Sequence, residues 1–322
     1  MISISFQTAF IAIFQIFLMG ALGFFLVRRC FLDENGLKML SWLSVNVIFP
    51  FYIFNQIINH FDPSTQPNWW AYPLINIGVC FTGLILTGLI VIVLHNKNSK
   101  EWMAVSSFHN AGYIPLLLVT VLPFGEKIQE LYSYIILTIV GFDLCLWSLG
   151  AWLIAAHHNK ANINWKSFIN PPLVSMFLAF MFVLFGGKEL IPEIVAQPIK
   201  IMGDGALGIA MLIIGGNLAL TIFDQIQWKN IMGAVAIKLI ILPILALLFL
   251  RIFHISSVWG FVLMIQACMP TSITLSVFGR YYDNPKQNLI NQTIFITHLL
   301  CGLTIPLFLG LYGSAKLTTG GP

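Results

Sequence analysis

Ten long apolar segments, separated by short polar connections, constrain the fold of this chain more than any other feature. A helix needs about 20 residues to cross the hydrocarbon core of a bilayer. The segments that reach this length are 7–27, 36–59, 71–94, 101–123, 131–156, 168–186, 198–222, 228–252, 256–279 and 287–313. Their apolar residues are continuous and do not alternate with polar ones, as they would in a membrane β-barrel. The sequence therefore predicts an all-α, polytopic membrane protein with ten transmembrane helices.

The composition argues against the soluble classes of protein. Hydrophobic residues make up 58% of the chain and charged residues 9%, whereas about 25% of an average soluble domain is charged. So few charged side chains cannot cover this much apolar surface in water. We therefore expect neither a soluble enzyme nor a nucleic-acid-binding protein. The motifs of a phosphate-binding loop, a serine hydrolase and a zinc protease are absent from the sequence, so we predict no enzymatic activity, no cofactor and no metal site.

The distribution of Lys and Arg predicts the orientation in the membrane. Ten basic residues fall in the connections on one side and five on the other. The richer side is expected to be cytoplasmic. Because the number of spans is even, both termini then lie outside the cytoplasm. We predict a multi-pass protein of the cell membrane.

The ten segments form two groups of five. The first group covers residues 1–156 and the second 168–313, with a short cytoplasmic linker at 157–167 and an extracytoplasmic tail at 314–322. Because five is odd, the second group enters the membrane with the opposite polarity. Such inverted repeats are common in secondary transporters.

The fourth segment of each group contains proline and polar residues at the expected middle of the membrane. In the first, EWMAVSSFHNAGYIPLLLVTVL (101–122), these are Asn110, Gly112 and Pro115; in the second, VWGFVLMIQACMPTSITLSVFG (258–279), they are Gln266, Pro270, Thr271 and Ser272. Proline removes a backbone donor and clashes with the preceding turn. We predict that both helices are broken and contribute to a substrate site, since free N–H groups attract anions and free carbonyls attract cations. The alternative is a simple kink with Ser and Thr hydroxyls bonded to their own backbone.

Three other polar residues lie within apolar segments. An ionised carboxylate at Asp143, near the middle of the fifth segment, costs roughly 3 kcal/mol or more. We predict that it contacts substrate or carries a coupling proton, and the alternative is a structural hydrogen bond. Lys238 is predicted to take part in ion coupling if it pairs with Asp143 or Asp204, and otherwise to extend to the interface. Asn46, one turn before Pro50, is a candidate for lining the same cavity.

Taken in order, several stretches resemble the auxin efflux carrier family, which includes the plant PIN and PIN-like carriers and many bacterial relatives. The stretches that carry the resemblance are 40–57 (LSWLSVNVIFPFYIFNQI), 107–118 (SFHNAGYIPLLL), 169–180, 203–219, 238–245 and 269–308. They cover almost the whole chain. Each stretch alone is a weak match, but their order and spacing make the resemblance fairly specific.

The resemblance implies two inverted five-helix repeats with the architecture of bile-acid sodium symporters. The broken fourth and ninth helices would cross near Pro115 and Pro270. Spans one, two, six and seven would form a scaffold that dimerises, and the other six spans a moving transport domain. The substrate would bind between the two, where Asn110 matches a polar, substrate-facing position of the family. Plant members have a neutral amide in place of Asp143, and this departure weakens the case for auxin as substrate.

Glycines in the seventh segment also bear on assembly. Close approach of another helix is predicted at Gly203, Gly205, Gly208, Gly215 and Gly216, because small residues let helix backbones meet in a membrane. With the resemblance, they suggest a homodimer. Close packing within one chain is the alternative.

We therefore expect a secondary active transporter of small organic anions, either carboxylates or auxin-like acids, that works in the bilayer by elevator-type alternating access. Proton coupling is favoured over sodium coupling, because Asp143, Asn110 and Gln266 are few ligands for a hard cation. A sodium-coupled symporter of organic acids is one alternative. A membrane receptor or channel is the alternative from another class, although the polar residues concentrate at mid-depth and do not line whole spans.

Overall fold

The computed structural model describes residues 6–64, 68–94, 99–121, 128–155, 171–220, 226–255 and 258–318. The helices are α1 (Phe6–Arg28), α2 (Glu34–Leu43), α3 (Phe49–His60), α4 (Ala71–Leu94), α5 (Ser99–Ser107), α6 (Tyr113–Val121), α7 (Ile128–Cys145), α8 (Ala151–Ala155), α9 (Pro171–Leu184), α10 (Glu193–Asp204), α11 (Ala206–Leu220), α12 (Trp228–Ala236), α13 (Leu242–Ile252), α14 (Val258–Ala267), α15 (Thr274–Tyr281) and α16 (Gln287–Thr318). The prediction of an all-helical fold is confirmed for these residues.

Six helical stretches of the described chain are long and apolar enough to cross a membrane. They are Glu34–His60, Ala71–Val93, Ser133–Ala155, Glu193–Leu220, Trp228–Ile252 and Gln287–Tyr312. Shorter apolar helices are Leu18–Arg28, Pro171–Leu184 and Val258–Ala267. The chain is thus a multi-pass membrane protein, whereas the number of ten spans and the inverted repeat stay predictions. The expected linker at 157–167 lies outside the described residues, and α16 continues to Thr318, past the expected start of the tail.

Three of the long helices contain a single wide π turn, at Ser44–Ile48, Leu146–Gly150 and Ile237–Ile241. Two of these turns are followed within two residues by a proline, Pro50 or Pro243. A proline ring lacks the N–H and crowds the carbonyl four residues earlier. A wider turn relieves this crowding without ending the helix, and π turns are frequent at functional sites.

Glycines allow α1 and α11 to pack backbone against backbone. A Cβ atom on Gly215 would lie 1.7 Å from the carbonyl oxygen of Gly20, and one on Gly23 would lie 2.2 Å from that of Leu212. Gly203 also lies close to the backbone of α3, because a Cβ there would be 2.9 Å from the Tyr52 Cα. Gly203, Gly215 and Gly216 of the seventh segment therefore serve packing within the chain. Gly208 is exposed, and a Cβ there would have no atom within 4 Å, so the dimer interface stays a prediction.

We expect Gly215→Ala to destabilise the protein strongly. Because the new methyl group would meet the backbone of α1, the helices must separate, at a cost of roughly 3 kcal/mol or more. Gly20→Ala is the matched control in the same helix pair, since a Cβ there has no atom within 4 Å. Thermal unfolding in detergent measures both variants. Equal midpoints for the two would contradict the close contact.

Ion pairs join helices at one end of the molecule. The Lys38 ammonium lies 2.6 Å from the Asp283 carboxylate, connecting α2 with the turn between α15 and α16. Arg280 contacts Glu34 of α2 through one guanidinium nitrogen and donates to Asn217 Oδ1 through another, at 3.0 Å. These contacts hold α15 and its following turn against α2 and α11.

Candidate functional site

Both predicted helix breaks are present, and the two interrupted segments pair with each other. The first break separates α5, which ends at Ser107, from α6; the second separates α14, which ends at Ala267, from α15. The Asn110 N–H donates to the Pro270 carbonyl at 2.8 Å, and the Ser272 N–H donates to the Phe108 carbonyl at 2.9 Å. The arrangement is a short antiparallel bridge centred on His109 and Thr271. Backbone groups freed by one break are thus satisfied by the other, as a break inside a membrane requires.

The two prolines occupy different places in this paired break. Pro270 lies within the second break, as predicted. Pro115, however, is the third residue of α6 and lies beyond the first break. The first residues of a helix have no intrahelical acceptor for their N–H groups, so a proline costs little there. Pro115 is compatible with the start of α6, while the break itself falls at residues 108–112.

Fully buried polar side chains hold the paired break in place. Gln266 Nε2 donates to the Ala111 carbonyl at 3.1 Å and to Thr138 Oγ1 at 2.9 Å. The Thr271 hydroxyl donates to the Val105 carbonyl at 2.8 Å. Gln266 and Thr271 therefore hold the backbone of the break in place and are not among the residues that line the cleft described below. The sequence analysis placed them in contact with substrate.

Asn76 of α4 joins this network and was missed by the sequence analysis. Its Nδ2 donates to the Thr138 carbonyl at 2.9 Å, and its Oδ1 lies 3.1 Å from His109 Nε2. Like Asn46, Asn76 is an amide within a largely apolar segment, and nothing in the sequence distinguishes the two. In the structure Asn76 is fully buried.

A small cleft, about 50 Å³ in volume, lies between the paired break and α3. Of the predicted site residues it brings together Asn110, Gly112, Asp143 and Ser272. The other lining residues are Phe49, Tyr52, Ile53, Ala111, Ile139, Phe142, Trp147 and Thr274. Three of the twelve lining residues, Ile139, Asp143 and Trp147, are spaced four residues apart, which puts them on one face of a helix. That spacing was visible in the sequence and points to the residues beside Asp143.

Two half-helices begin at the cleft. Gly112 immediately precedes α6, and Thr274 is the first residue of α15. The N-terminal end of a helix carries a partial positive charge and N–H groups without intrahelical acceptors. The cleft is therefore suited to an anion on two of its sides.

Asp143 is the acidic residue of the cleft, and 8% of its surface is exposed. The Trp147 indole, one turn further along the helix, lies within hydrogen-bonding reach of its carboxylate. Asp143 lines the cleft and is not a member of the ion pairs that Lys38, Arg280 and Lys286 form.

Lys238 and Asn46 lie away from the cleft. Lys238 is fully buried, and its ammonium donates to the Ser107 carbonyl at 2.7 Å. It neither extends to the interface nor forms a described ion pair with Asp143 or Asp204. Asn46 Nδ2 donates to the Trp42 carbonyl of its own helix at 2.8 Å. Asn46 is therefore not among the residues that line the cleft.

A larger cavity of about 340 Å³ lies between α1, α11, α15 and α16. Its lining is Gly20, Ala21, Phe24, Met211, Ile214, Gly215, Leu218, Ile273, Ser276, Asn291, Ile294, Phe295 and His298. Ser276 and Asn291 bond to each other at 2.7 Å. Since this cavity is almost entirely apolar and contains none of the predicted site residues, the smaller cleft is the better candidate.

Comparison with known proteins agrees with a multi-pass membrane protein. A family model described as "Membrane transport protein" matches residues 8–309. Protein PIN-LIKES 7 of Arabidopsis thaliana is 21% identical, over 93% of this chain and 95% of the relative. An uncharacterized transporter of Methanocaldococcus jannaschii, MJ1031, is 23% identical, over 89% of this chain and 93% of the relative.

Proposed function

Because this chain belongs to the auxin efflux carrier family of membrane transport proteins, we propose that it is a secondary active transporter of small organic anions. The observation that carries the proposal is the meeting of two half-helix N-termini at one buried cleft. Both ends favour negative charge. Half-helix N-termini at the repeat interface bind anionic substrate groups in other secondary transporters.

The lining of the cleft suggests the chemical class of the substrate. A carboxylate would bind beside Gly112 and Thr274, at the starts of α6 and α15. The aromatic rings of Phe49, Tyr52 and Phe142 would contact an apolar or aromatic body. Both simple carboxylates and auxin-like acids fit this description.

Asp143 supports proton coupling. A substrate carboxylate and an ionised Asp143 would repel each other in so small a space, since like charges disfavour ionisation of both. Binding of the anion then requires a proton on Asp143, which travels with the substrate. Sodium coupling remains the alternative, and it would need several oxygen ligands around Asp143.

The size of the cleft supports alternating access. About 50 Å³ is well below the roughly 300 Å³ of the smallest typical ligand pockets. The aromatic residues of α3 must therefore move away from the paired break before an organic acid can enter. We propose that the break moves relative to α3 in an elevator-type cycle, with α3 in the scaffold.

Uptake into proteoliposomes tests the proposed function. Labelled carboxylates and indole acids are offered with a pH gradient, with a sodium gradient, and with neither. We expect accumulation of at least one acid with the pH gradient alone. Accumulation only with sodium would favour the sodium symporter. Passive flux that never exceeds equilibrium would favour a channel, and binding without any flux would favour a receptor.

The ion pair between Lys38 and Asp283 provides a test of the elevator motion. If α2 is fixed and α15 moves, this pair must break during each cycle. An exposed pair contributes only about 0–1 kcal/mol, so Asp283→Asn should change the transport rate by less than about fivefold, in the faster direction. Lys229→Ala, which removes an exposed lysine without a described ion pair, is the control and should leave the rate unchanged. A slower Asp283 variant would contradict the proposed motion.

A homodimer formed through the scaffold stays a prediction from the family resemblance. We expect native mass measurement in a mild membrane mimic to give twice the 36.1 kDa chain mass. Monomers alone would argue against it.

A further inference from the structure

Lys238 occupies an unusual position for a lysine in a membrane helix. It lies in the π turn Ile237–Ile241, and none of its surface is exposed. Its ammonium donates to the carbonyl of Ser107, a residue 131 positions away in the sequence. Burying a charged group is costly unless it is paired or hydrogen-bonded. A lysine at this depth therefore calls for a specific role.

The carbonyl that Lys238 contacts belongs to the last residue of α5. The C-terminal end of a half-helix carries a partial negative charge and carbonyls without intrahelical donors. One of these, at Val105, accepts from the Thr271 hydroxyl, and the one at Ser107 accepts from Lys238. In secondary transporters with broken helices, such C-terminal ends coordinate the coupling Na⁺ or H⁺.

The second break ends its helix differently. At the end of α14, the Cys268 N–H donates to the Met264 and Ile265 carbonyls, and the Met269 N–H donates to the Gln266 carbonyl. The backbone thus caps α14 by itself, without a cation. The two helix ends thus differ in that a carbonyl at the end of α5 accepts a hydrogen bond from the Lys238 ammonium.

The atoms around Ser107 resemble the ligands of a small cation. The Ser107 hydroxyl lies 3.2 Å from that of Thr87 in the neighbouring helix α4. Gly83 allows this approach, because a Cβ there would lie 2.8 Å from the Ser107 Cα. Hydroxyl and carbonyl oxygens are the ligands that hard cations prefer. The ammonium interacts electrostatically with Cys80 and His109, neither of which is a carboxylate.

We propose that the Lys238 ammonium takes the place of a coupling sodium ion. Because it is part of the chain, it is a resident cation at a helix end where other broken-helix transporters bind sodium from solution. It stabilises the C-terminal end of α5 on one side of the paired break, while the substrate anion binds at the N-terminal ends on the other. Transport by this chain is then independent of alkali cations. This assignment rests on the proposed transport function. Its test, however, includes thermal unfolding, which does not depend on transport.

The test is to shorten the side chain and supply the cation from solution. Lys238→Ala removes the ammonium and leaves space beside the Ser107 carbonyl. The purified variant is melted in the chlorides of sodium, potassium, methylammonium and choline at equal ionic strength. We expect sodium or methylammonium to raise its melting midpoint relative to choline, and no such difference in the wild type. Uptake by the variant should rise at least about tenfold with the same cation.

Lys238→Met is the second variant, because it keeps an unbranched side chain only one heavy atom shorter and removes the charge. We expect it to fold, to lose at least about tenfold in uptake, and to respond to no cation. If Lys238→Ala does not fold, the uptake measured for Lys238→Met is the test of the proposal. Wild-type uptake by Lys238→Met, a Lys238→Ala midpoint that is equal in all salts, or a sodium requirement in the wild type would each overturn the proposal. If the wild type transports none of the acids, the proposed function fails, while the melting experiment still tests the cation site.

Discussion

Replacing Asp143 by Asn is expected to abolish accumulation driven by a pH gradient while substrate binding is retained. The amide has nearly the size of the carboxyl group, so the cleft and the contact with Trp147 should persist. It cannot exchange a proton at physiological pH, so the coupling is lost. For one coupled proton, a gradient of one pH unit is worth about 1.4 kcal/mol, or about tenfold accumulation. We expect about tenfold for the wild type and no accumulation for the variant.

The measurement combines uptake with counterflow. Uptake into proteoliposomes across a range of pH gradients reports coupling, and exchange of labelled for unlabelled substrate reports binding and movement. Asp204→Asn is the matched control, because Asp204 is an exposed carboxylate of α10 outside the cleft. Loss of exchange in the Asp143 variant would indicate a direct substrate contact. An unchanged pH profile would show that the residue is only structural and would contradict both functional roles.

Pro270→Ala is expected to reduce uptake at least about tenfold, with folded protein retained. Pro270 lies in the break, and its carbonyl accepts the N–H of Asn110. Alanine is the residue most favourable to helix, by about 3 kcal/mol over proline. The substitution therefore favours extension of α14 through the break, which would remove the pairing with residues 108–110 and displace Ser272 from the cleft.

Pro115→Ala is the matched control for this experiment. Because Pro115 lies in the first turn of α6, the new N–H disturbs no existing hydrogen bond and the helix keeps its start. We expect less than about threefold change in uptake for this variant, within the range of ordinary substitutions. Equal effects of the two substitutions would show that the position of Pro270 in the break has no special importance. Circular dichroism and size-exclusion chromatography confirm folding of both variants.

The fold class and the general position of the site were predictable from local features of the sequence. The length and polarity of the apolar segments require membrane helices, because a bilayer offers no hydrogen bonds to unpaired backbone. The same physics applies to proline and polar residues at mid-depth, and both breaks are present. The cost of a carboxylate in a lipid-facing position predicted only that Asp143 would face a cavity, be paired or be protonated, not that it would lie beside a break.

The partners of these residues were decided only by tertiary packing. Helical periodicity fixes which residues share a face within one helix, such as Asp143 and Trp147, but not which faces of different helices meet. The sequence therefore could not show that Lys238 contacts Ser107 and not an acidic residue. It also could not show that Gly215 of α11 faces α1, or that Gln266 donates a hydrogen bond to the Ala111 carbonyl of the other break. Each of these contacts joins residues more than 100 positions apart, and their geometry depends on the rotation and separation of whole helices.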